Sequence, residues 1–169
     1  TSTTNPEFEK FTASFAEKVS ETKTVLNDDM TVGWVEGDEV MVYNGVAAHR
    51  FVASLTGASN SAAELSPVNA GLTLKKGNTY YALYPYDESA RWSGTSVTFT
   101  LPSLQNPVAG SFSYNPSVAY TTSSDMAFRN VCALVEFSVS SDNVSRIVFE
   151  GGGNEEIAGK IRVDCKAYP

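Results

Sequence analysis

The residues able to do chemistry are few and scattered. The single histidine, His49, follows Asn44-Gly45-Val46-Ala47-Ala48 and precedes Arg50, with no cysteine or carboxylate close by in sequence. A structural zinc site needs four ligands, so a histidine placed like this reads as a surface residue. Carboxylates cluster at Asp28-Asp29, Glu36/Asp38/Glu39, Asp87-Glu88 and Glu155-Glu156. Each cluster stands beside turn residues, where short acidic side chains cap local amides. A glycosidase needs two carboxyl groups at a set separation, and nothing in the spacing selects a pair. The stretch EGDE at 36–39 lacks the ligand density of a calcium loop. No nucleophile elbow, phosphate loop or dinucleotide fingerprint is present, and GGGNEE at 151–156 leads into a strand, as a hairpin would. The expectation is a protein that is not an enzyme, with no catalytic residue, no metal and no cofactor.

One ligand hypothesis survives. Trp92 lies in DESARWSGT, at or near a hairpin tip, with Tyr86, Asp87, Glu88 and Arg91 close in sequence. An exposed ring with a polar rim is what a glycan requires, so Trp92, Tyr86 and Arg91 form a candidate glycan platform. The alternative is a tryptophan folded back over the end of the sheet. Trp34, in TVGWVEGDEV, reads as a core residue of a strand.

These residues must be positioned by strands. Alternation of period two recurs along the chain, most cleanly at Val97, Phe99 and Leu101, as half-buried strands require. Turn chemistry separates the strands at EGDE, KKGN, SSDN and GGGN. About ten strands without a βαβ rhythm predict an antiparallel β-sandwich with little helix. In NTYYALYPYDES both faces are apolar, Tyr80, Ala82, Tyr84 and Tyr86 on one and Tyr81, Leu83 and Pro85 on the other. Such a strand is covered on both sides or crosses a sheet edge, where Pro85 removes a ladder donor. NVCALVEFSVS turns Val131, Ala133, Val135, Phe137 and Val139 to one face and Cys132 to the other, whereas Cys165 joins the apolar face of IAGKIRVDCKA. Two free thiols behaving as small hydrophobes follow. Residues 56–71 and 102–125 read as surface loops, the second long enough to be functional or partly structured. Residues 8–19 fit two periods: Phe8, Phe11, Phe15 and Val19 follow helical spacing, while Phe11, Ala13 and Phe15 share one face of a strand.

With 169 residues, 42% hydrophobic and 18% charged, one domain can bury about 70% of its unfolded surface and needs no disulfide or metal. Residues 1–7 read as a flexible leader and 8–169 as one domain. A net charge of −7 with scattered Lys and Arg argues against nucleic acid as a partner. No apolar run reaches the roughly 18 residues of a membrane span, so no membrane insertion of this domain is expected.

Four motifs then recur in a telling order: Trp34-x-x-Gly37-Asp38, Ala82-Leu83-Tyr84-Pro85, Leu101-Pro102-x-x-Gln105, and Phe128-x-Asn130-Val131-Cys132-Ala133-Leu134. Together they resemble the fimbrillin-like family of Bacteroidetes cell-surface proteins, from Phe11 to Val163. The resemblance implies a transthyretin-like Greek-key β-sandwich and the N-terminal domain of a longer two-domain protein. It implies a strand ahead of residues 22–24, which decides the N-terminal ambiguity. It also implies a structural fimbrial subunit or an accessory or anchor protein, located at the cell surface or outer membrane. It implies as well a lipid anchor on an N-terminal cysteine that lies outside these 169 residues. Its partners would be other fimbrial subunits, joined by donor-strand addition, and a host protein or glycan. Phe11, Ala13 and Phe15 then form the strand-exchange segment, expected at the edge of the sandwich. The processing region falls at Lys23, where an arginine is often found in the family. The next arginine is Arg50, which puts cleavage by an arginine-specific protease in doubt. The competing expectation is a non-polymerising surface adhesin or glycan-binding lipoprotein on the same scaffold.

Overall fold

The structure, a computed structural model, describes residues 5–16, 25–26, 32–106, 114–133, 135 and 137–167. Every regular element among them is a strand: β1 (Glu7–Phe8), β2 (Phe11–Phe15), β3 (Val25–Leu26), β4 (Val32–Gly33), β5 (Glu39–Tyr43), β6 (Ala48–Leu55) and β7 (Ala62–Pro67) in the first part of the chain. The rest are β8 (Leu74–Lys75), β9 (Tyr80–Tyr84), β10 (Arg91–Ser93), β11 (Ser96–Leu101), β12 (Ser117–Thr121), β13 (Asp125–Asn130) and β14 (Gly159–Asp164). The protein is all-β.

Alternation explains how they assemble. Seven strands close into a ring in the order β12-β13-β2-β7-β6-β5-β9. Phe11 and Ala13, Val40 and Val42, Phe51 and Ala53, Ala63 and Leu65, Tyr80 and Ala82, and Met126 and Phe128 are all buried in one cluster. Each pair stands two residues apart on its strand, so all point to the same side, and that side is the ring's interior. The alternate residues of three neighbouring strands, Met41, Tyr81, Leu83 and Val118, enter a second cluster with Val97, Phe99, Val163 and Cys165. A three-stranded sheet, β10-β11-β14, thus covers the outer face of β5, β9 and β12.

The tyrosine strand is explained by this arrangement. β9 lies between β5 and β12, with Tyr80 and Ala82 in the inner cluster and Tyr81 and Leu83 in the outer one. It is apolar on both faces because it is covered on both faces.

Some expectations are corrected. β2 is a strand with Phe11 and Ala13 fully buried, but it is no edge: it pairs antiparallel with β7 and parallel with β13. Residues 62–67, read as loop, form β7, whose small and apolar side chains Ala63 and Leu65 fit the ring interior. Part of 102–125 is structured, as β12, one of the two outcomes its length implied. Among the described residues, 131–150 carry no strand, and Val135, Phe137 and Val139 are about half exposed. Alternation gives a segment two faces but supplies no ladder partner, and none is paired with it. Trp34 is core, at 1% exposure, but follows β4 rather than lying in it. Within the stretch read as leader, Glu7 pairs with Lys75, and Lys76 N–H donates to Pro6 O at 2.9 Å.

Candidate functional site

The feature with most to offer is the slot that β2 occupies. Only β2 lies between β7 and β13, so its removal leaves two strand edges facing one another. On one side Phe11 stands opposite Leu65 and Ala13 opposite Ala63. On the other, Thr12 stands opposite Asp125 and Phe15 opposite Phe128. Thr12 N–H donates to Ser124 O and Ala16 N–H to Phe128 O, both at 2.8 Å. The ladder thus satisfies main-chain groups irrespective of side chain, while the inward residues fill fixed pockets.

Those pockets are aromatic. The Phe11 ring sits 5.0 Å from Phe8, 5.2 Å from Tyr80 and 5.8 Å from Phe51. The Phe15 ring stacks on Trp34 at 4.8 Å and lies 6.2 Å from Phe128. Trp34 also meets Phe128 and Tyr84 edge-on, the geometry that aromatic quadrupoles favour. Trp34 Nε1 is buried and has no hydrogen-bond partner among the described residues. Outside, Lys10 pairs with Glu64 and Glu7 with Lys75, both exposed and so of small energetic weight. Lys23, the candidate processing position, lies outside the described residues.

The glycan-platform residues are placed differently. Trp92 lies in β10, opposite Val97 and just before the Gly94-Thr95 turn. Its ring stacks on Tyr43 at 5.1 Å with 12° between planes, and its Nε1–H reaches Met41 Sδ at 3.1 Å. Tyr86 carries the Arg50 guanidinium over its face at 4.2 Å, and Arg50 also pairs with Glu39 at 3.3 Å. Arg91 turns to the main chain, donating to Glu88 O and Ala90 O. Trp92 and Tyr86 both pack against the outer cluster, and the two rings have different partners. Tyr43, far from Trp92 in sequence, is the residue that sequence reasoning missed.

Of the acidic turns, Asp28 and Asp29 lie outside the described residues, and the others cap amides. Asp38 accepts from Val35 N–H at 2.8 Å and from the Tyr84 hydroxyl at 3.2 Å, and Glu36 accepts from Leu55 N–H. Burial pushes the Tyr84 phenol far up, and the Asp38 carboxylate beside it adds to the shift. Asp87 accepts from Ser89 N–H and Oγ–H. Among the described residues no three of His, Cys, Asp and Glu come together as metal ligands would. His49 lines a cavity of about 230 Å³ with Val42, Asn44, Leu74, Asn78 and Tyr80. Both cysteines are free; burial pushes the Cys132 thiol up and that of Cys165 up to about 12.

No protein-family model, curated protein or solved structure matches the chain.

Proposed function

We propose that the chain is a structural subunit of a cell-surface fimbria, in a stalk, accessory or anchor role, and that it assembles by strand addition. The observation that carries this reading is the place of β2. A five-residue strand near the start of the chain fills a slot between β7 and β13, which meet no other strand on that side. Phe11 and Ala13 are fully buried in it. A donor strand from another subunit would satisfy the same two edges and refill the same pockets. The order of the four sequence motifs supports the reading from a second side, and with it the transthyretin-like Greek-key sandwich and the outer-membrane location. Processing near Lys23 would release β2. The role is one of assembly, without catalysis.

The test removes residues 1–22. The truncated chain should oligomerise through the open slot, and a peptide spanning residues 7–18, added in excess, should return it to the oligomeric state of the intact chain. A truncated chain that stays folded, behaves like the intact one and ignores the peptide would refute strand addition.

A further inference from the structure

The exposed large hydrophobic residues concentrate, among the described residues, in one stretch. Of the twelve large hydrophobic residues exposed among the described residues, eight fall between Val135 and Ile157. Exposed apolar side chains in that number mark an interaction site where they adjoin. The stretch doubles back at one point. The chain turns at Asp142 and Asn143, and Phe137 and Phe149, six residues to either side of Asn143, meet with their rings 6.1 Å apart. Arg146 to Glu150 takes part in no strand and in no backbone hydrogen bond among the described residues.

The five residues Arg146-Ile147-Val148-Phe149-Glu150 have a charge pattern that is complementary to itself. Two copies run antiparallel about a two-fold axis at Val148 set Arg146 of each opposite Glu150 of the other. Ile147 then faces Phe149 on the opposite side of the ribbon, twice over. Neither Arg146 nor Glu150 has an ion pair among the described residues, and both are exposed. We propose that residues 146–150 are a homotypic interface, pairing with a second copy of this chain as an antiparallel ladder. The two-fold makes the contact closed, so it yields dimers and no filament. It is separate from the β2 slot, and either can fail without the other.

Sedimentation of the full chain over a concentration series should show a monomer–dimer equilibrium. Arg146→Glu or Glu150→Arg alone should weaken it at least about tenfold, since each variant sets like charges opposite one another at both ends of the ladder. Mixing the two variants should restore association as a heterodimer, because every 146–150 contact then joins opposite charges again. A dimer that the single variants leave unchanged, or variants that fail to recover on mixing, overturns the proposal. So does a chain that is monomeric throughout, including one whose 146–150 amides resist hydrogen exchange because they pair with β14 of their own chain.

Discussion

Trp92 shows how a residue can suggest a ligand and serve packing. Its type and polar neighbours fit a sugar platform; its ring is stacked on Tyr43 and its N–H is directed at Met41. Trp92→Ala should therefore lower stability by about 2–3 kcal/mol, below the 3–5 of a fully buried ring because Trp92 is partly exposed. Chemical denaturation measures this, and a glycan array on the same variant separates the readings. Loss of glycan binding at unchanged stability would restore the platform. Cys165 gives a second test at this scale. Its thiol rises by burial from 9.0 to about 12 in the folded protein. Above pH 9 the unfolded thiol loses its proton while the folded one keeps it, so its contribution is complete below pH 9 and is lost as pH rises from 9 towards 12. Denaturation midpoints of the wild type should fall more steeply across that window than those of Cys165→Ala. Parallel curves would show that the thiol titrates alike in both states.

At the scale of elements, what was legible depended on distance along the chain. The two apolar faces of Tyr80–Tyr84 are a local property, and they correctly implied cover on both sides. The inward face of Phe11 and Ala13 was legible for the same reason. That β2 pairs in parallel with β13, over a hundred residues away, was not, since local alternation reports faces and is silent on neighbours. The ring interior also tolerates alanines at Ala53, Ala63 and Ala82, which is why β7 passed for a loop. Residues 131–150 show the converse, a strand-like pattern without a ladder among the described residues. For β2 itself, Phe11→Ala should cost about 3–5 kcal/mol, as removal of a fully buried aromatic does. Thr12→Pro should also destabilise, because it deletes the N–H that reaches Ser124 O. Thermal melts check both; a wild-type midpoint for Thr12→Pro would mean that the β2–β13 ladder carries little weight.

For the whole molecule, the ring and its covering sheet share β5, β9 and β12, whose two faces contribute to two cores. Such a body should survive loss of one strand better than a single-core ring, because the outer cluster contains no residue of β2. Strand addition needs that property: an acceptor must stay folded while its slot is open. Hydrogen exchange on the chain lacking residues 1–22, with and without the 7–18 peptide, tests this most directly. At concentrations low enough to keep the truncated chain monomeric, the account predicts that the slot-facing amides of Ala62–Pro67 and Asp125–Asn130 exchange fast without the peptide and slow together when it binds, while Tyr80–Tyr84 stays protected throughout. Strands β7 and β13 that remain protected in the truncated chain, or that gain nothing from the peptide, would contradict it.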